Sequence, residues 1–163
     1  MNIYELLVIS HIIGTVLGVG GATFAEIFYV RALRDGTVSG EEGATLKTIY
    51  TILRIGLFMA VLSGFGFLLY FSLTGHEEYL YNEKLWAKLT IVFFLMVNAI
   101  LIQAKRMPLW LGSAISLTSW YTALILGVLR GAGYTYFGVL IVYAMAVLVV
   151  AYFLHVIESK LKY

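Results

Sequence analysis

Residues 109–157 read LWLGSAISLTSWYTALILGVLRGAGYTYFGVLIVYAMAVLVVAYFLHVI, and Arg130 is the only Asp, Glu, Lys or Arg among them. An α-helix needs roughly 20 mainly apolar residues to cross the ~30 Å hydrocarbon core of a bilayer. The stretch is long enough for two crossings, and the glycines that flank Ala132 fit a tight turn between them. We therefore predict two spanning helices here, with one re-entrant segment as the competing interpretation.

Apolar stretches of similar length also fill most of the chain before residue 109. The whole sequence has 163 residues, of which 61% are hydrophobic and only 12% are charged, whereas soluble domains carry about 25% charged residues. The sequence predicts a single-domain, all-α integral membrane protein, a bundle of five transmembrane helices with four as the alternative count. The predicted spans are residues 6–30, 49–73, 85–104, 109–129 and 134–157.

The basic residues are distributed unevenly between the two ends of such a bundle. With five spans, eight Lys and Arg residues lie on the C-terminal side and three on the N-terminal side. Cytoplasmic loops are enriched in Lys and Arg, so we expect the N-terminus outside and the C-terminus in the cytoplasm of a prokaryotic-type cell membrane. A formal charge of +2 does not indicate nucleic-acid binding, and the absence of cysteine excludes disulfides and thiolate metal sites within this chain.

Few polar side chains fall inside the predicted spans, and an ionisable group in hydrocarbon is a functional hypothesis by default. On the first helix, His11 shares one face with small residues that include Gly14 and Gly18. This face suits either close packing of a second helix or a flat ligand held by His11. The full set of candidates is His11, Glu26, Arg54, Lys88, Asn98, Gln103 and His155.

The polar candidates fall into groups according to their predicted depth in the membrane. His11 and Lys88 fall at similar depth near the outer face, although a lone lysine there also suits snorkelling to the interface. Glu26 and Arg54 fall near the inner face, where an ion pair between the first two helices is the simplest expectation, either structural or gating an ion path. His155 is expected at the inner interface, on the opposite side from His11.

Hydroxyl and aromatic groups on the other helices suit contacts between helices. Serines and threonines of the fourth helix are expected to hydrogen-bond either to neighbouring helices or to the backbone of their own helix. Trp120 and Tyr121 need partners for their polar atoms, and they either line a cavity or pack with a bond to a neighbour. Asn82 is predicted to cap the third helix.

The segment HIIGTVLGVGGATFAEIFYV, residues 11–30, resembles the first helix of the HemJ-type protoporphyrinogen oxidases and the related CopD-type copper-resistance membrane domains. In that group an early histidine precedes a glycine-rich stretch, and a later helix begins with a tryptophan and a lysine. The segment LWAKL, residues 85–89, is similar to the second feature. The resemblance covers the first three helices, and it implies His11 and Lys88 as functional positions with a b-type haem nearby.

The first hypothesis for function is a membrane-embedded redox protein that binds b-type haem. His11 is its metal ligand, Lys88 is a second ligand or the partner of a propionate, and Gly14 and Gly18 line the cofactor. The reaction partner is a quinone or a porphyrin. A small transporter or channel with a polar path of Glu26, Arg54 and Asn98 is the alternative, and a non-catalytic assembly partner is a third. Whether the chain is an enzyme, and whether it forms a homo-oligomer, stay open.

Overall fold

The computed structural model describes residues 2–34, 40–129 and 133–161, and within these ranges it contains five long α-helices and no β-strand. All five are long and apolar enough to cross a membrane. The predictions of an all-helical fold and of five apolar helices are therefore confirmed. The helices are α1 (Ile3–Arg34), α2 (Gly40–Leu73), α3 (Glu83–Gln103), α4 (Leu109–Val128) and α5 (Tyr136–Leu161), with a short 3-10 helix, Glu77–Tyr81, before α3.

The first two helices extend beyond the predicted apolar spans. They contain 32 and 34 residues, which corresponds to about 48 and 51 Å of helix at 1.5 Å per residue. The added turns carry charged side chains, among them Arg31 and Arg34 at the end of α1 and Glu41 and Glu42 at the start of α2. Both helices thus continue from an apolar layer into a polar one.

The start of α3 is joined to the region between α4 and α5. The Asn82 side chain accepts a hydrogen bond from the backbone N–H of Lys84 at 2.9 Å, so the predicted cap is confirmed. Lys84 Nζ donates to the carbonyl of Leu129 at 2.7 Å, and Glu83 accepts from the backbone N–H of Tyr136 at 2.7 Å. Backbone groups at two helix ends, which lack partners within their own helix, are satisfied in this way.

The predicted turn between α4 and α5 falls partly on residues 130–132, which lie outside the described residues. Gly133 is described, and its φ of +120° lies in a region that favours glycine. Since α4 ends at Val128 and α5 begins at Tyr136, the stretch of residues 109–157 forms two helices and not one.

Small residues allow α1 and α2 to pack with their backbones in contact. A Cβ atom placed on Gly56 of α2 would lie 2.8 Å from the backbone nitrogen of Gly18 and 2.9 Å from the carbonyl oxygen of Gly14. Such distances leave no room for a side chain. The two helices therefore form a close antiparallel hairpin, in which residues near the start of α1 face residues near the end of α2.

Helix α4 connects this hairpin to the rest of the bundle. On one side, Trp120 packs with Leu95 of α3 and with Ala22 and Leu53 of the hairpin. On the other, Ser119 lies 2.8 Å from the hydroxyl of Tyr143 in α5. The expectation that hydroxyls of the fourth helix bond to neighbouring helices is confirmed for Ser119. Residues of α3, α4 and α5 form a further core cluster: Ala87, Ile91, Leu126, Val139 and Tyr143.

Candidate functional site

His11 is half-buried on α1, and two side chains of α2 hold its ring. Its Nδ1 atom lies 2.9 Å from the hydroxyl of Ser63. The ring of Phe67 meets the imidazole edge to face, with centroids 5.7 Å apart and planes at 77°. Ser63 is itself fixed, because its Oγ lies 2.6 Å from the carbonyl oxygen of Met59, one turn earlier in α2. The imidazole is therefore held in place from outside its own helix.

Lys88 of α3 lies within electrostatic range of His11. Its side chain is half-buried, and its Nζ atom donates no hydrogen bond to any residue that the structure describes. Lys84, one turn earlier, differs because its ammonium group is bound to the Leu129 carbonyl. An electrostatic interaction thus relates two of the residues singled out in the sequence, and one of them is a cation without a hydrogen-bond partner in the described ranges.

The glycine face beside His11 is occupied by the protein. A Cβ atom on Gly18 would lie 2.2 Å from Cη2 of Trp120, so the flat group on this glycine is an indole ring. A Cβ atom on Gly14 would lie 2.7 Å from the backbone nitrogen of Ala60. Helix packing accounts for both glycines, and the expected ligand surface at Gly14 and Gly18 is not open.

Trp120 and Tyr121 both pack against α1, but only Tyr121 has the expected bond to a neighbouring helix, because the buried Nε1 of Trp120 has no hydrogen-bond partner among the described residues. The Trp120 side chain is 3% exposed, and its ring lies on Gly18. The Tyr121 hydroxyl lies 3.1 Å from Oγ1 of Thr23 on α1. Both residues therefore connect α4 to α1.

A second group of polar side chains lies at the other end of the bundle, around Glu26. Glu26 lies within interaction range of Ser113 on α4 and of Tyr50 on α2. Tyr29, one turn further along α1, lies within interaction range of Glu158 on α5. Four helices therefore contribute to this group. Sequence reasoning named Glu26 but not the two tyrosines, since nothing in their spacing relates them to it.

Arg54 does not belong to this group, and the expected ion pair between Glu26 and Arg54 is wrong for these described residues. Arg54 is exposed, and its Nε donates to the carbonyl of Tyr50 at 3.2 Å. The reason is helix rotation: Gly56 must face α1, and at 100° per residue Arg54 then points about 200° away.

The remaining candidates have separate positions. Asn98 is 2% exposed, and its Nδ2 donates to the Gly112 carbonyl at 2.8 Å, so it links α3 to α4. His155 is exposed, and its ring lies 4.9 Å from that of Trp110, at the opposite end of the bundle from His11. Among the described residues, no group of three or more His, Asp and Glu side chains is arranged to hold a metal ion.

Comparison with protein-family models, with curated proteins and with solved structures finds no match for this chain.

Proposed function

We propose that this chain is an integral membrane redox protein that binds b-type haem through His11. The observation that carries the proposal is a half-buried imidazole with one nitrogen engaged by Ser63, within electrostatic range of an ammonium group, Lys88, that has no hydrogen-bond partner in the described residues. Neutral imidazole is a common axial ligand of haem iron. Metal-bound histidines usually hold their second ring nitrogen in a hydrogen bond, which the contact with Ser63 would supply.

The side chains around His11 fit such a group in their chemistry. An uncharged imidazole supplies a lone pair, and Lys88 supplies either a second nitrogen ligand or a positive charge for a propionate. Gly14 and Gly18 play no part in holding the group, because Ala60 and Trp120 fill their faces. Haem, when bound, would supply one-electron transfer to or from a quinone or a porphyrin. The residues of the chain hold the imidazole and place a cation within electrostatic range of it.

We also propose that α1–α5 all cross the membrane, with the N-terminus outside and the C-terminus in the cytoplasm. The apolarity of the five helices supports the crossings. The excess of Lys and Arg on the C-terminal side supports the orientation. In this arrangement His11 and Lys88 lie in the outer half of the bilayer, and Glu26 lies near its inner face.

The test compares haem content in two histidine variants purified in detergent and supplied with haemin. His11→Ala should lose haem at least tenfold, because the proposed ligand is gone. His155→Ala is the matched control, since it removes an exposed histidine at the other end of the bundle, and it should keep the wild-type haem content. Equal haem content in the two variants would show that His11 is not the ligand.

A transporter or channel is the second candidate, and one observation at Glu26 favours it. Oε1 of Glu26 is buried and has no hydrogen-bond partner among the residues that the structure describes. Arg54 and Asn98 do not extend a path from it, since one is exposed and the other links α3 to α4. Proton or cation flux into proteoliposomes should then be lost in Glu26→Gln and kept in Glu77→Gln, whose carboxylate is exposed. Absence of flux in the wild type would exclude this candidate.

A further inference from the structure

The hydroxyl of Ser63 has one proton and three neighbours that compete for it. Its Oγ lies 2.6 Å from the Met59 carbonyl oxygen, 3.1 Å from the Ala60 carbonyl oxygen and 2.9 Å from Nδ1 of His11. Ser63 is 2% exposed, so solvent does not replace any of these partners. The position of the single proton decides which nitrogen of the imidazole carries hydrogen.

The shortest contact locates the proton. Two oxygen atoms 2.6 Å apart in an apolar environment repel unless a proton lies between them, and this distance is typical of an O–H···O hydrogen bond. Serine hydroxyls within helices also commonly donate to the backbone carbonyl four residues earlier. The hydroxyl of Ser63 therefore donates to Met59, and its lone pairs face His11.

It follows that the His11 nitrogen facing Ser63 must be the donor. A neutral imidazole has one N–H and one lone pair, and Nδ1 here faces the lone pairs of Ser63. Nδ1 thus carries the hydrogen, and the lone pair is on Nε2.

We propose that Ser63 is a positioning residue, which fixes His11 in the Nδ1–H tautomer and leaves the Nε2 lone pair available to a metal centre. The link to haem rests on the proposed function, whereas the tautomer is a property of the chain alone. Removing the hydrogen-bond partner of a ligating histidine typically lowers metal affinity 10–100-fold. Ser63 was not among the sequence candidates, because no spacing relates residues 52 positions apart on two helices.

Ser119 is a matched control for Ser63. Its Oγ lies 2.6 Å from the carbonyl oxygen of Ile115, four residues earlier, and 2.8 Å from the hydroxyl of Tyr143. It is fully buried. Ser119→Ala therefore removes the same atoms and the same kinds of bond at a site away from His11.

The first experiment determines the tautomer of His11 in protein without haem. The chain has three histidines, and ¹⁵N NMR of histidine-labelled protein in detergent, with His11→Ala to assign signals, distinguishes protonated from bare ring nitrogens. We expect protonated Nδ1 and bare Nε2 on His11 in the wild type and in Ser119→Ala. In Ser63→Ala the signals should move towards the other tautomer. A proton on Nε2 in the wild type, or no change in Ser63→Ala, would overturn the proposal.

The second experiment measures haem affinity in the same proteins. Ser63→Ala should bind haem 10–100-fold more weakly, Ser119→Ala should match the wild type, and Ser63→Thr should recover most of the loss because it keeps the hydroxyl. If the wild type binds no haem, the proposed function is wrong. The NMR experiment tests the tautomer independently of that outcome. A wild type that binds haem no better than Ser63→Ala would reject the positioning role alone.

Discussion

Lys88 is the single residue whose role depends most on its charge. Its ammonium group has no hydrogen-bond partner among the described residues, and it lies within electrostatic range of an imidazole that a serine already holds. A cation in this situation suits a carboxylate from outside the chain, such as a propionate. The other option is a neutral lysine nitrogen bound to iron. Arginine can replace lysine as a charge partner but not as an iron ligand.

Arginine and alanine at position 88 separate these options. We expect Lys88→Arg to keep most of the haem content and Lys88→Ala to lose at least tenfold, because arginine keeps the charge but does not ligate iron. Haem content of the purified variants is the measurement. Loss in both variants alike would instead make Lys88 a ligand.

Gly18 carries a prediction about packing. A Cβ atom there would lie 2.2 Å from the buried ring of Trp120, whereas one on Gly20 would meet nothing within 4 Å. Gly18→Ala should therefore lower the free energy of unfolding by about 1–3 kcal/mol, the usual cost of overpacking. Gly20→Ala should leave it unchanged or raise it by up to about 1 kcal/mol, because alanine favours helix. Unfolding in mixed detergent micelles measures both, and equal stabilities would contradict the contact.

Among the secondary-structure elements, α4 is the one on which both parts of the bundle depend. Tyr121 connects it to α1, and Ser119 connects it to α5. Hydrogen bonds between membrane helices contribute about 0.6 kcal/mol on average and up to about 1.7 kcal/mol. These bonds are therefore individually modest, and apolar packing around Trp120 supplies the rest of the contact.

A conservative substitution can remove the hydrogen bond between α4 and α5. Tyr143→Phe removes only the hydroxyl that bonds to Ser119, and we expect it to lower the free energy of unfolding by about 0.5–1.5 kcal/mol. Tyr152→Phe is the control, because Tyr152 is 66% exposed. If the two variants unfold alike in detergent, the Ser119–Tyr143 bond contributes nothing measurable.

The elements could be predicted from the sequence more completely than the contacts between them. Apolar length located the five helices, and Asn82 marked the start of α3 through local chemistry. The pair of His11 and Ser63 could not be found in this way, because it depends on how two helices are rotated about their axes. Arg54 illustrates the same point: its depth suggested Glu26 as a partner, but the rotation that brings Gly56 to α1 turns it outward.

On the scale of the whole molecule, the His, Lys and Glu side chains considered above as functional candidates lie in two groups towards opposite ends of the bundle. His11 and Lys88 lie near the N-terminal end of α1, and Glu26, Tyr29 and Glu158 lie near the other end. This arrangement separates His11 from Glu26 by 15 residues of α1, or about 23 Å along the helix. The orientation of the protein then determines which of the two groups lies nearer the cytoplasmic face of the membrane.

The absence of cysteine from the sequence gives a direct test of orientation. Glu77→Cys lies in the 3-10 helix before α3, and Lys105→Cys lies just after α3, so the two thiols mark opposite ends of the bundle. In intact cells a membrane-impermeant maleimide should label position 77, and it should reach position 105 only after permeabilisation. The reverse pattern would invert the proposed topology, and labelling of both positions in intact cells would contradict a spanning α3.

The most direct test of the central claim, that His11 holds haem, is the visible absorption spectrum of the wild-type protein purified in detergent and supplied with haemin. We expect a Soret band that stays with the protein through gel filtration and shifts when dithionite is added. A wild-type protein that folds and elutes as a single species without a Soret band would contradict the claim.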